Sequence, residues 1–287
     1  MTPTSTIPAI ERTLDLFASP ERVWRALTDQ DELIRWFGDR ADFRPEVGYE
    51  GWMEWDGHGR FPMLVEEVDP PRRLAVRWRN EPGTTLGDAS TLVEWDLEPR
   101  PDGGTRLHLR ESGFQDPSGR SGNTAGWVHE IGELVALVGQ ERFHRGIRKS
   151  WQLTSPIDRV WAAFADPAVF GRWWAGDEPP PLVAGHEGWW VWTGMGRFGV
   201  RIDVVEPPTY LAWTWTPVPD VPVAQSTVQL HTQWSLEARD DGGTTLSLLE
   251  TGHSAAEGYD MADGGWGSDV IAGLRAVLGE PDPAPAG

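Results

Sequence analysis

Two glutamates end strongly alternating segments of the chain. Glu111 is preceded at every second position by Leu107 and Leu109, and Glu250 is preceded by two leucines in the same way. Because successive side chains of a strand point to opposite faces, each carboxylate is predicted to face inward. A buried carboxylate needs a partner or a raised pKa. It can therefore anchor a loop backbone or an arginine, orient a ligand, or act as a general acid or base.

The 18 tryptophans of the chain can pack a core or line a pocket. Trp127 and Trp266 fall on predicted helices, where core packing is the stronger expectation. Packing and ligand contact are weighed about equally for the tryptophans on predicted strands of the first half: Trp52, Trp55, Trp78 and Trp95. In the second half, Trp213 is predicted to face inward beside Trp215. This enrichment favours a flat, polycyclic ligand over a fatty acid.

Other catalytic patterns are missing from the sequence. The seven histidines do not cluster, and no HExxH or similar spacing occurs, so neither a metal nor a cofactor is predicted. Gly57 and Gly59 mark a hairpin turn rather than a phosphate loop, because no helix follows them. There is no cysteine and no Gly-x-Ser-x-Gly nucleophile motif. No inward His–Asp or Arg–Tyr pair is evident beside either glutamate, which weakens an enzymatic role.

The chain is one module written twice. Trp78 recurs as Trp215 after 137 positions, and Trp127 recurs as Trp266 after 139. A repeat this long predicts two complete domains rather than a solenoid. We place them at 1–140 and 141–279, followed by a disordered Pro/Ala-rich tail at 280–287.

Each module predicts mostly strands followed by one long helix. In the first module, Ser19 and Pro20 open a helix, and a short helix follows at 31–37. Its predicted strands are 10–17, 49–55, 60–68, 73–79, 91–98 and 105–111, and its last helix is 126–138. The second module repeats this order with helices at 158–164, 167–174 and 267–278 and strands at 188–193, 197–205, 210–216, 228–237 and 244–250. A sheet curled around its last helix tends to leave a cavity between them.

Charge and hydropathy narrow the range of functions that the protein could have. The net charge of −19 repels phosphate backbones and anionic lipids, so binding to nucleic acid or to a membrane is not expected. The polar first residues do not resemble a signal peptide, and no apolar run approaches a membrane span. We therefore predict a cytoplasmic protein, monomeric, with its two domains paired within one chain.

Several segments resemble SRPBCC, or START-like, helix-grip domains, in the subgroup related to the activator of the 90-kDa heat-shock-protein ATPase. The resemblance is carried by SPERVWRALT at 19–28, WFG at 36–38, VDPPRRL at 68–74, GTRL at 104–107, ESGF at 111–114 and AGW at 125–127. It covers 10–139, and the second copy drifts, with His253 in place of Phe114 and Trp174 in place of Phe37. It implies an α+β fold, each domain a curved antiparallel sheet wrapped around a long C-terminal helix with two short helices.

The resemblance implies several functions, because such domains include lipid carriers, polyketide cyclases, co-chaperones and enediyne-resistance proteins. Tandem copies resemble proteins of actinomycete natural-product loci, including enediyne loci. We expect non-catalytic binding of an apolar, aromatic small molecule, for sequestration or self-resistance. A cyclase or dehydratase and a protein-interaction module are the alternatives. The candidate ligand-binding residues are Trp55, Met63, Val76, Trp78, Trp95, Leu109, Glu111, Trp127 and Ile131 in the first half, and Trp192, Val200, Trp213, Trp215, Trp234, Leu248, Glu250, Trp266 and Val270 in the second.

Overall fold

The chain divides into two compact units, Met1–Arg145 and Gly146–Gly287, in a computed structural model. The structure describes residues 7–79, 82–83, 85–86, 90–174, 179–192, 194–267 and 269–281. The division falls five residues after the boundary drawn from the sequence. We call the units the first and second domains and describe each by itself.

The first domain is a seven-stranded antiparallel sheet with three helices. The strand order is β1-β7-β6-β5-β4-β3-β2. The strands are β1 (Ile10–Leu16), β2 (Arg40–Asp42), β3 (Glu50–Trp55), β4 (Gly59–Asp69), β5 (Arg73–Arg79), β6 (Ser90–Pro99) and β7 (Thr105–Ser112). The helices are α1 (Pro20–Thr28), α2 (Gln30–Leu33) and α3 (Pro117–Val138), with a 3-10 turn at Arg142–Arg145.

Local sequence signals explain most of these boundaries. Helix α1 begins as predicted, with Ser19 Oγ accepting a hydrogen bond from the Arg22 amide and Pro20 in the first turn. Along β7, buried and more exposed residues alternate from Thr105 to Glu111, and the carboxylate of Glu111 is fully buried. The inward direction predicted for Glu111 is thus confirmed.

Helix α3 is longer than the sequence pattern indicated. It begins at Pro117 rather than at residue 126, and Asp116 caps it by accepting a hydrogen bond from the Gly119 amide. The early turns are rich in glycine and polar residues, so no apolar stripe marks them. Trp127 therefore lies inside the helix rather than at its start.

The second domain is a six-stranded antiparallel sheet with order β8-β13-β12-β11-β10-β9. Its strands are β8 (Ile147–Leu153), β9 (Glu187–Trp192), β10 (Gly196–Glu206), β11 (Tyr210–Pro219), β12 (Leu230–Ala238) and β13 (Thr244–Thr251). Its helices are α4 (Ile157–Ala165), α5 (Pro167–Trp173), α6 (Ala256–Gly267) and α7 (Asp269–Leu278), with a 3-10 turn at Val223–Gln225. The single helix predicted at 267–278 is thus preceded by a further helix that begins at Ala256.

The two domains repeat each other in detail. The indole of Trp36 donates to the Ala26 carbonyl oxygen at 2.8 Å, and the indole of Trp173 donates to that of Ala163 at the same distance. Both sheets are antiparallel, and in each domain the last strand is followed by helix at the C-terminal end. Each domain therefore has the α+β helix-grip architecture.

The first two residues of the predicted disordered tail, 280 and 281, are described by the structure. Glu280 is ordered, with a side chain that is only 3% exposed and an Oε1 that accepts a hydrogen bond from the Ser155 amide at 2.7 Å. The rest of the predicted tail, from residue 282, lies outside the described residues. Within the described residues, no helix combines the length and apolarity needed to cross a membrane.

Candidate ligand-binding site

The first domain contains a partly open cavity of about 440 Å³. Small-molecule pockets in proteins typically measure roughly 300–1,000 Å³, so this volume suits a ligand of a few rings. Five aromatic rings, three polar side chains and two glycines line it: Phe37, Trp55, Phe61, Trp78, Trp127, His58, Asn123, Glu130, Gly122 and Gly126. The candidates Trp55, Trp78 and Trp127 are thus brought together around one space.

The aromatic wall comes from five parts of the fold. Trp55 ends β3, Phe61 lies near the start of β4, and Trp78 lies on β5. Phe37 follows α2 and stacks on Trp127 of α3 with ring centroids 5.5 Å apart and planes 4° apart. Trp55 meets Trp78 at 5.8 Å and 60°. Stacked and edge-on contacts of this kind are favoured by the ring quadrupoles, so the rings hold one another in place.

Two glycines leave one face of α3 without side chains. Gly122 and Gly126 line the cavity, and a Cβ atom built at either would meet no atom within 4 Å. Glycine lowers helix stability by roughly 0.5–1 kcal/mol relative to alanine. At Gly122 and Gly126 this lower helix stability coincides with an open cavity beside the helix.

Glu111 lies behind the aromatic wall and holds two of its indoles. Its Oε1 accepts hydrogen bonds from Trp78 Nε1 at 2.9 Å, Thr91 Oγ1 at 2.6 Å and Asn123 Nδ2 at 2.8 Å. Its Oε2 accepts one from Trp127 Nε1 at 2.7 Å. One role expected from the sequence was to anchor a loop backbone or an arginine. The partners of Glu111 are instead two indoles, a hydroxyl and a side-chain amide. Burial raises the pKa of Glu111, and the four donors oppose that rise.

Glu130 is a partly buried carboxylate in the cavity wall and was not among the site residues predicted from the sequence. Its Oε1 accepts a hydrogen bond from Trp55 Nε1 at 3.1 Å. Burial raises the pKa of Glu130 to about 7; the Trp55 hydrogen bond opposes the shift, and the Glu133 and Asp39 carboxylates add to it. The missed signal was helical spacing, because Asn123 and Glu130 stand four residues before and three residues after Trp127, on one helix face.

The raised pKa of Glu130 predicts a pH-dependent stability. Folding favours the protonated form of Glu130. Its contribution to the free energy of unfolding is therefore complete below pH 4.5 and is lost as the pH rises through about 7. Relative to Glu130→Gln, the wild type should lose up to about 3 kcal/mol of unfolding free energy across that window. Urea unfolding of both proteins at a series of pH values measures the difference. A difference that stays constant with pH would contradict the prediction.

Three other candidates of the first domain line a separate void of about 40 Å³, deeper in the core. They are Met63, Val76 and Trp95. Leu109 and Ile131 line neither space; both are buried in the apolar core, which corrects their assignment as ligand contacts. The volume of the smaller void is about that of one or two water molecules, so it cannot admit a ring system.

In the second domain, larger side chains occupy the equivalent interior. Phe37, Met53 and Val76 are replaced by Trp174, Trp190 and Trp213 at a shift of 137. Trp174 stacks on Trp266 with ring centroids 4.7 Å apart, and Trp213 packs against Trp174 at 5.3 Å.

Trp213 faces inward, as predicted. Its side chain is fully buried among other indoles and adds volume to the core rather than surface to a pocket. Val200, Trp234, Leu248 and Trp266 are likewise buried in this core, whereas Trp192, Trp215 and Val270 are partly buried and pack against it.

Glu250 repeats the role of Glu111 with a different set of donors. Trp215 Nε1 and Trp266 Nε1 lie 3.2 Å and 2.9 Å from its carboxylate oxygens, and Thr232 Oγ1 lies 2.8 Å away. His253 Nε2 completes the set at 3.1 Å. A histidine bonded to the glutamate itself was not predicted from the sequence. The drift from Phe114 to His253 was the available signal.

Among the described residues, no group of three or more His, Cys, Asp or Glu side chains is placed to hold a metal ion. The carboxylates at 111 and 250 are instead enclosed by hydrogen-bond donors and aromatic rings. The arrangement can therefore hold indoles in fixed positions around an apolar space, which is the chemistry of a binding pocket.

Comparison with known proteins identifies the family. The profile of the family described as Activator of Hsp90 ATPase homolog 1-like protein matches twice, over residues 17–139 and 154–279. None of the curated proteins compared with the chain matches it.

Three solved structures illustrate the likeness. Protein MLL2253 from Mesorhizobium loti is 26% identical over 45% of this chain and 96% of its own, with a TM-score of 0.41. DynU16, a protein of the dynemicin biosynthetic locus, is 20% identical over 94% of this chain and 97% of its own, with a TM-score of 0.41. Aha1 from Colwellia psychrerythraea, solved as a dimer, is 19% identical over 47% of this chain and 99% of its own, also with a TM-score of 0.41. Because the family profile covers most of both repeats, the chain belongs to the Activator of Hsp90 ATPase homolog 1-like family as a tandem pair of its domains.

Proposed function

We propose that the first domain binds an aromatic small molecule in its 440 Å³ cavity without transforming it. The observation that carries the proposal is the wall of five aromatic rings around a space large enough for fused rings. Aromatic faces and edges offer favourable contacts to other rings, and burial of the ligand's apolar surface supplies the driving force. The biological use would be sequestration of the compound, with self-resistance as its strongest form.

Preorganisation of the wall supports this proposal. Glu111 fixes the indoles of Trp78 and Trp127 from behind, and Trp55 is held by Glu130. Side chains that are ordered before binding lose little conformational entropy when a ligand arrives. The cavity is therefore prepared for a rigid, flat molecule rather than for a flexible chain.

In this proposal the second domain has a mainly structural role, because additional tryptophans fill its interior. An enzymatic role is the second candidate, favoured by the Glu250–His253 pair, which could exchange a proton. The two side chains are 0% and 3% exposed, however, so a substrate would have no access to them in this conformation. Binding by the first domain is therefore the stronger candidate.

Filling the cavity from α3 should abolish binding without unfolding the domain. In Gly126→Leu the new side chain enters the space beside Trp127, where an added Cβ meets nothing within 4 Å. We expect affinity for anthracenemethanol to fall by about tenfold or more, since excluding one ring of such a ligand forfeits well over 1 kcal/mol. Stability should rise or stay level, because leucine is a better helix former than glycine. Titration calorimetry and quenching of tryptophan fluorescence measure the binding, and chromatography should recover the ligand unchanged.

Gly265→Leu is the matched control. Gly265 occupies the equivalent helix position in the second domain, and a Cβ atom there also meets nothing within 4 Å. This variant should bind anthracenemethanol as the wild type does. Unaltered binding by Gly126→Leu, or a loss shared by both variants, would overturn the assignment of the site to the first domain.

A further inference from the structure

The polar groups of the cavity wall indicate what kind of aromatic ligand it takes. Of the three polar side chains in the wall, Asn123 donates its amide to Glu111. Glu130 uses Oε1 to accept the Trp55 indole N–H, and within the described part of the chain no hydrogen bond reaches its Oε2. A carboxylate oxygen at the wall is therefore free to accept a hydrogen bond from a bound molecule.

Two neighbouring carboxylates carry the same charge as an ionised Glu130. Glu133 and Asp39 both disfavour a negative charge on Glu130, and His58 is the third polar side chain of the cavity wall. The net charge of the whole protein is −19. An incoming cation would thus gain from the local carboxylates and from the field of the protein.

The rings around the space favour the same charge. Trp55 and Trp78 line the cavity with Glu130, and Phe37 stacks on Trp127 at its side. A cation close to an indole face is attracted by the ring quadrupole, and aromatic cages combined with a carboxylate are suited to ammonium groups. An anionic ligand would meet repulsion from both the rings and the carboxylates.

We infer that the cavity of the first domain selects an aromatic ligand bearing a protonated amine, with its ammonium group bound to the Glu130 carboxylate and its rings among Trp55, Trp78 and Trp127. This inference rests on the proposed function and names the ligand class of the same site. Glu130 is the specificity-determining residue, and the aromatic wall supplies the bulk of the affinity.

Three probes with one ring system and different headgroups test the inference: anthracenylmethylamine, anthracenemethanol and anthracenecarboxylate. Calorimetry on the full chain at neutral pH should rank them in that order. The amine should bind about tenfold more tightly than the alcohol, the gain expected of a charge-assisted hydrogen bond. Glu130→Gln should bring the affinity for the amine to within about twofold of the affinity for the alcohol, and this ratio within one variant is the quantity that tests the inference.

Glu133→Gln is the control, because it removes a nearby negative charge from the same helix outside the cavity wall. It should keep the preference for the amine. Equal affinities of amine and alcohol in the wild type, or a preference that survives Glu130→Gln, would overturn the inference while leaving aromatic binding intact. If none of the three probes binds, the proposed function fails and the inference fails with it.

Discussion

Trp127→Ala is expected to unfold the first domain and to leave the second folded. Trp127 is 3% exposed, stacks on Phe37 and donates its indole N–H to Glu111. Truncation of a buried tryptophan costs roughly 3–5 kcal/mol through lost contacts and the cavity left behind. The variant also removes one of the four donors of a buried carboxylate, which adds to the loss. A typical domain is stable by only about 5–15 kcal/mol, so a large fraction of its stability is removed.

Differential scanning calorimetry should resolve the outcome, because each domain is a compact unit and is expected to melt in its own transition. The transition of the first domain should move to much lower temperature, and that of the second should keep its position. Trp52→Ala is the matched control: this residue of β3 is partly exposed and its ring carries the Arg60 guanidinium at 3.7 Å. Its loss should cost about 1 kcal/mol or less. A single transition that shifts as a whole would show that the two domains unfold together.

Glu111→Gln should destabilise the first domain nearly as strongly, although it changes only one atom. Each carboxylate oxygen accepts an indole N–H, from Trp78 on one side and from Trp127 on the other. The amide NH2 of glutamine must therefore face an indole donor in either orientation. Two donors directed at each other leave both unsatisfied, at a cost of about 1–3 kcal/mol for each buried group.

Near-ultraviolet circular dichroism during urea unfolding measures this loss and reports on the tryptophan environment at once. Glu98→Gln is the control, since this carboxylate of β6 is 67% exposed and should tolerate the change within about 0.5 kcal/mol. Wild-type stability in Glu111→Gln would mean that the carboxylate does not organise the wall. The equivalent change at Glu250 should destabilise the second domain for the same reason, because Trp215 and Trp266 donate to it.

The regular parts of the fold could be predicted because their signals are local. Alternation along β7 gave the direction of Glu111, and Ser19 with Pro20 gave the start of α1. The early turns of α3 were missed because glycine and polar residues carry no apolar periodicity. Their helical state depends on tertiary packing, which outweighs intrinsic propensity.

The tryptophans of the candidate site were predictable, but Phe37, Phe61 and most of its polar side chains were not. Strand and helix patterns selected Trp78, Trp127 and Glu111 separately, and the structure brings them into contact. Asn123 lay before the predicted helix start at residue 126, and Glu130 lay outside the apolar stripe by which the helix was recognised. In the second domain, whether Trp174 fills the interior depends on which residues face it, and sequence spacing does not give that information.

The two glutamate networks also bear on how the halves of the chain diverged. Phe114 and Asn123 in the first copy correspond to His253 and Ala262 in the second, so the fourth donor changed its position in the sequence. An ancestral sequence with both the asparagine and the histidine provides a hydrogen-bond donor for every lone pair of the carboxylate. A sequence with neither leaves a buried carboxylate without one of its donors. The duplicated copies should therefore have diverged through a sequence that carried both the asparagine and the histidine. Ancestral reconstruction of this pair of positions would reveal the order in which the substitutions were accepted.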